Sequence, residues 1–503
     1  MRRQMLVSLL FSAAAVAQVG VEGEVVRKST GEPLAGVRVG ETVTDATGRF
    51  YLNNLPAGFS GAVPFDGPGL LPRNQVVTLE PQDTLIAVRV AMTPQAVIAG
   101  KVLDENGWPV ASAAVTAAQY GAYDGVRQLQ PVRKVQTDDR GEYRIGKLPP
   151  GRYYIYARPS SAVPWSDYQP AWYPSALDVA DAHSLDLREG QEASGIDVHL
   201  AMGGGVEVRG RVILPDGYRP ERASLNLTWQ ELGGTNSESV PIAPDGSFTL
   251  RHMLPRQYTL TASTGAIIET GAPPKHLAVR TLEVSDRNID GITLNVGPTV
   301  IRDLKGTIVC EGAVNPGQVH IQLQRVPTGA TRLTAQVEPD GRFVIPGVWP
   351  GRYYASVSAQ NGTAVSFRLG DRETLYREID FDGTDTPLGV TIRERGAYQR
   401  IAGTLTGSSQ HPVAGASLIF VPRGLSYSPR QRATIPPAGT DQNGAFTLQI
   451  PGGVYRVYVV EELAAIDESM SDPDFLKAQE KAFPPVTITA GENPPLKLVM
   501  PAK

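Results

Sequence analysis

A glycine-centred tight turn that feeds an alternating strand occurs five times along the chain, and its spacing limits the possible folds more than any other feature. The copies are Asp45-Ala-Thr-Gly48-Arg-Phe50, Asp138-Asp-Arg-Gly141-Glu-Tyr143, Pro244-Asp-Gly246-Ser-Phe248, Pro339-Asp-Gly341-Arg-Phe343 and Asp441-Gln-Asn-Gly444-Ala-Phe446. The turn glycines lie 93, 105, 95 and 103 positions apart, a domain-sized period well beyond the roughly 20–50 residues of a solenoid repeat. In a chain of 503 residues, five units of ordinary domain size fit without remainder.

Each unit opens with a short strand centred on glycine: Gly23, Gly100, Gly210, Gly306 or Gly403. Apolar residues flank that glycine at period two, so they share one face while the missing side chain allows close backbone approach. Three units add a second phrase, Pro33-Leu-Ala-Gly36-Val37, Pro109-Val-Ala-Ser112-Ala113 and Pro412-Val-Ala-Gly415-Ala416. A Pro-Gly-x-Tyr corner follows, as in Pro350-Gly351-Arg-Tyr353, and introduces a strong strand. Six or seven short strands per unit, punctuated by turns, predict an all-β chain of five tandem antiparallel β-sandwiches. The expected boundaries are 18–93, 94–203, 204–299, 300–397 and 398–503, with 203–205 a Gly-rich hinge.

Residues 1–17 read as a secretory signal peptide: Arg2 and Arg3, an apolar run, then Ala15-Val-Ala17. No later stretch reaches the roughly twenty apolar residues of a membrane-spanning helix. The expected location is therefore outside the cytoplasm: periplasmic, cell-surface or extracellular. A net charge of −4 with no basic run gives no footprint for nucleic acid. The single cysteine, Cys310, precludes an intramolecular disulfide and reads as a packed strand residue.

The phrase Gly-x-Pro-Leu/Val-Ala-Gly/Ser, followed by Asp-x-x-Gly-x-Phe/Tyr and Pro-Gly-x-Tyr, resembles the carboxypeptidase regulatory-like domain. The likeness is strongest around Pro109–Tyr153 and Pro412–Tyr455. It implies a transthyretin-like, Greek-key (Ig-like) sandwich of the carbohydrate-binding-like type, of a kind found as tandem arrays in secreted bacterial proteins. It implies a scaffold, not a chemistry. A peptidase zinc centre would need clustered ligands, whereas the six histidines, at 183, 199, 252, 276, 320 and 411, are scattered. The turn aspartates offer too few oxygens for calcium and are expected to cap their own turns. Related adhesin folds form Lys–Asn crosslinks, but Lys101, Lys305 and Asn295 make no complete set within one unit. No catalytic residue, metal or cofactor is expected.

Two insertions follow the tyrosine strand. In the second unit, a Pro-rich loop carries Trp165, Asp167, Tyr168, Gln169, Trp172 and Tyr173. Flat rings beside hydroxyl-bonding groups would suit a sugar platform, and the same rings could instead fold back over the sandwich edge or wedge a contact with a neighbouring unit. In the fifth unit, Ser471–Lys481 has the cap, early acids and late lysines of a short helix pinned by Phe475 and Leu476. The sequence thus suggests an exported, non-enzymatic array that binds a polysaccharide or another cell-envelope component. The alternative is a purely structural spacer or adhesion-type array.

Overall fold

The computed structural model describes residues 19–500 except 124–125, 160–167, 203–205, 233, 265–272, 327–331, 376–377, 426, 428–434 and 462–465. The expected leader and the 203–205 hinge lie outside the described residues. The regular structure of the rest is almost entirely strand, and the buried side chains gather into five large clusters. These fall within residues 19–92, 96–200, 206–296, 304–392 and 401–498.

One arrangement recurs in all five segments. The first strand, for example Val206–Ile213, lies between the strand after the Gly-turn, Ser247–Met253, and the closing strand, Ile289–Asn295. The first ladder is antiparallel and the second parallel. The sandwiches are therefore antiparallel apart from a parallel ladder between first and closing strands, because the crossover returns the closing strand to the same sheet in the first strand's direction.

At the centre of that sheet, a glycine faces an aromatic ring across the antiparallel ladder. The pairs are Gly23 with Phe50, Gly100 with Tyr143, Gly210 with Phe248, Gly306 with Phe343 and Gly403 with Phe446. A Cβ on Gly403 would sit 2.5 Å from Phe446 Cζ and 2.6 Å from the Leu496 carbonyl of the closing strand. The ring therefore lies flat where a side chain would otherwise stand, and its burial adds about 1.5–3 kcal/mol per unit. In the second unit the ring is tyrosine, and its hydroxyl donates to the Ile196 carbonyl at 2.5 Å.

The turn glycines have left-handed φ between 69° and 85°, which L side chains rarely adopt. Their carbonyls accept from the first strand, as in Val212 N to Gly246 O at 2.8 Å. The turn aspartates cap their own turns: Asp441 Oδ1 accepts from Asn443 N and Ala445 N, each at 2.9 Å. Such bonds hold the Asp45, Asp245 and Asp340 carboxyls below the usual carboxylate range. At the following corner, Tyr153, Tyr353 and Tyr455 each donate to the carbonyl four residues back, at 2.7–2.8 Å. Burial pushes the Tyr455 hydroxyl up to about 12.

A threonine just before the turn aspartate explains why three units keep the Pro-Leu/Val-Ala phrase. Thr44, Thr137 and Thr440 donate to Leu34 O, Val110 O and Val413 O at 2.7–2.8 Å. They also accept from Val37 N, Ala113 N and Ala416 N at 2.9 Å. In the third and fourth units Ile242 and Val337 stand at the threonine's place, four residues before the turn glycine, and offer no hydroxyl for such a clamp. Cys310 packs half-buried against its core, and burial pushes its thiol up. Lys101, Lys305 and Asn295 are exposed, without the burial that crosslinking chemistry requires.

Gly210→Ala would place a methyl group 2.5 Å from both Ile292 O and Phe248 Cζ. It is expected to cost about 1–3 kcal/mol or more in urea unfolding of the third unit's core. Gly297→Ala, whose Cβ meets nothing within 4 Å, is expected to leave stability unchanged.

Candidate binding site

The units differ most on the outer face of the sheet that carries the tyrosine strand. In the second unit, the aromatic insertion folds onto that face. Ala171–Trp172 pairs antiparallel with Tyr156–Ala157, and the Trp172 ring lies 4.7 Å from the Tyr156 ring. Trp172 is 7% exposed and Gln169 is 2% exposed. Tyr168 is half-buried and donates to Asp104 Oδ2 at 3.3 Å. Tyr173 is half-buried, its amide bonded to Ile155 O and its ring edge-on to His183. Trp165 and Asp167 lie outside the described residues. The four described residues converge as a flap on the sandwich, with Trp172's ring turned into the protein.

The flap continues into the next unit. Leu232 of the third unit packs in the Trp172 cluster. Beside it, Tyr156 donates to Glu231 Oε1 at 2.7 Å, where Arg256 Nη1 also donates at 2.7 Å and Arg158 lies 3.9 Å from the second oxygen. Glu231's side chain is only 10% exposed. A buried carboxylate is tolerated when paired and hydrogen-bonded in this way. Burial, more than the neighbouring carboxylate, pushes the Tyr156 hydroxyl well above its ordinary value.

The fifth unit covers the equivalent face with its own insertion. Helix Pro473–Ala482 is capped by Asp472, which accepts from Asp474 N. Phe475 and Leu476 pack beside Ile419, Val421, Tyr458 and Val460. A short helix before it, Ile466–Ser469, has no counterpart in the sequence expectations, and it faces the second unit. Glu468 accepts from Gln119 Nε2 at 3.2 Å and from Arg152 N at 3.3 Å, while Ser471 Oγ donates to Tyr120 O at 3.1 Å. Burial holds the Glu468 carboxyl above its ordinary range, opposed by the Arg152 hydrogen bond and charge.

The fifth unit also meets the first. Strand Arg73–Thr78 lies against the Pro412 phrase and Ala438–Thr440. Gln75 Nε2 donates to Thr440 O at 3.1 Å, and Thr78 exchanges bonds with the Gln442 amide at 3.2 and 2.8 Å. Arg73 Nη2 reaches Ala414 O at 3.3 Å, and Lys28 pairs with Glu461 at 3.3 Å. Gln75 is 2% exposed and Thr440 fully buried. The Gln75 amide nitrogen thus donates twice, to Val76 O in its own unit at 2.9 Å and to the carbonyl that the distant unit supplies, as a buried polar group requires.

Among the described residues, no group of three or more His, Cys, Asp or Glu is placed to hold a metal ion. No described helix is long and apolar enough to cross a membrane.

These features define an all-β protein of β-sandwiches joined through divergent faces. Residues 97–200 match the model of the carboxypeptidase regulatory-like domain, so this segment carries such a domain, as its motifs suggest. No curated protein matches the chain. Among solved structures, the Bacillus anthracis TIE protein is 13% identical, aligned over 76% of this chain and 67% of its own, with a TM-score of 0.17. A streptococcal ancillary pilin is 12% identical over 56% of this chain and 99% of its own, at a TM-score of 0.21. GBS52, a minor pilin of Streptococcus agalactiae, is 13% identical over 41% and 97%, at 0.20. Overlap this low conveys nothing about function or the arrangement of the sandwiches.

Trp172→Ala removes a buried ring at the junction of the second and third units. The expected loss is about 3 kcal/mol in denaturant unfolding, with increased cleavage between the two units in limited proteolysis. A change below about 0.5 kcal/mol, the level of an ordinary surface substitution, would mean the ring is not packed as described.

Proposed function

We propose that the chain is an exported, non-enzymatic scaffold of five sandwich domains, with the boundaries expected from the repeat, closed on itself by contacts between its first, second and fifth units. The observation that carries this reading is the burial of Gln75 against Thr440, 365 residues away in sequence. A linear spacer has no use for that contact, because it would leave Gln75 and the Thr440 carbonyl in water. The insertions support the same reading. The second unit's flap and the fifth unit's helices cover outer sheet faces and then contact a neighbouring unit. In this scaffold Trp172 packs at the junction with the third unit while Tyr168, Gln169 and Tyr173 hold its flap on the second, and ligand recognition belongs elsewhere on the assembly. Export, to the periplasm, the cell surface or the exterior, rests on the leader-like residues 1–17.

Small-angle scattering of the full chain tests closure. Units of about 13 Å radius of gyration placed in a closed ring give roughly 30–35 Å overall, against roughly 50 Å for an open row. The scaffold reading expects the lower value. A value near the upper one would return the chain to the spacer class.

A further inference from the structure

Among the described residues no insertion covers the third unit's outer face, and the face is not apolar. Strands Gly234–Ser239, Ala223–Glu231, Arg256–Thr264 and His276–Val284 lie side by side. Their register sets Ser237, Thr228, Thr259 and Thr281 in one row, with Asn226 and Thr261 opposite each other in the next. The pairs equivalent to Thr228 with Thr259 are Ala118 with Tyr154 in the second unit, Gln324 with Tyr354 in the fourth and Val421 with Arg456 in the fifth. The hydroxyl row is therefore peculiar to the third unit.

The fourth unit holds this face at two points and leaves the middle open. At one end, Trp349 buries Leu277. At the other, Glu378 accepts from Gln230 Nε2 at 2.7 Å and from Thr235 Oγ1 at 3.2 Å. Between them is a cleft of about 330 Å³, whose far wall is Arg325, Arg352, Asp380 and Asp382. That size is at the lower end of ligand sites.

The polar groups on the sheet side are unspent. Thr228 donates weakly to Thr259 O at 3.4 Å, but the side chains of Asn226, Ser237, Thr259, Thr261 and Thr281 have no hydrogen-bond partner among the described residues. On the far wall, Arg352 Nε donates to Asp380 at 3.0 Å, while its Nη1 is buried without a hydrogen bond, 3.3 Å from Glu378. Arg325 is 6% exposed and anchored to Pro350 O and the Tyr353 hydroxyl. Two guanidinium groups face two carboxylates, so the walls carry no net charge. A ligand that suits them is neutral and presents hydroxyls that both donate and accept, at intervals near the ~4.8 Å spacing of strands. A pyranose chain meets those terms. The ring in its lining, Phe381, is buried in the fourth unit's core, so the cleft would bind the sugar by hydrogen bonds alone, hence weakly.

We propose that the cleft between the hydroxyl row of the third unit and the Arg352–Asp380 wall of the fourth binds one to three residues of a neutral oligosaccharide. This site is independent of ring closure by the fifth unit, so scattering and binding can fail separately. The test is saturation-transfer NMR on the full chain with cellopentaose, maltopentaose, xylopentaose and chitopentaose, and trigalacturonate as the acidic comparison. The expected result is transfer to at least one neutral pentasaccharide, with a dissociation constant in the millimolar range or tighter. The isosteric double variant T259V/T281V should weaken it at least fivefold without a change in Tm. Should that variant be unstable, Ser237→Ala on the exposed edge strand should still weaken binding at least twofold. Absence of transfer from all four neutral sugars, affinity unchanged in the variants, or preference for trigalacturonate would overturn the proposal.

Discussion

Every unit depends on a glycine lying under an aromatic ring. The ring on the Gly-turn strand needs a flat surface, the first strand supplies one by omitting a Cβ, and the closing strand then approaches close enough to form the parallel ladder. Gly306 shows the constraint from two sides, with Phe343 across one ladder and the Leu388 carbonyl across the other. The left-handed turn glycine serves the same contact by placing the ring strand in register. Turn, ring and first-strand glycine therefore recur together as one packing solution, used five times.

With the cores alike, differences between the units lie on the outer faces. Where the sheet carries Tyr156, or Ile419 and Tyr458, an insertion covers it, because an exposed apolar face of that size invites association. The cover is then used twice, since Trp172 meets Leu232 and the short helix carrying Glu468 meets Gln119. Where the face is hydroxylated, in the third unit, water suffices as cover and the neighbouring unit leaves a cleft. Composition of one sheet face thus decides whether a unit becomes a junction or a site.

Much of this was legible in the sequence, for local reasons. A left-handed glycine, a fixed proline and period-two alternation act within ten residues, so turns, strands and repeat spacing could be read directly. The helix near Pro473 was legible from its cap and charges. The direction of Trp172 was not, because an aromatic residue in a Pro-rich loop suits an exposed platform or a folded flap equally until the Tyr156 ring beneath it is known. Thr44, Thr137 and Thr440 left only a faint sign, a threonine before the turn aspartate. Gln75 left none, since its partner lies hundreds of residues away. The hydroxyl row depends on the register of four strands, and no single strand displays it.

Closure of the fifth unit onto the first is the central claim, and an introduced disulfide measures it most directly. A Cβ at Gly439 lies 3.9 Å from Val76 Cβ, close to the ~3.8 Å mean of disulfide bridges. In a chain with Cys310→Ser, the pair V76C/G439C should form an intramolecular disulfide on mild oxidation, seen as a linked peptide by mass spectrometry and a faster band on a non-reducing gel. Free thiols at both positions in the folded chain would contradict the closed arrangement.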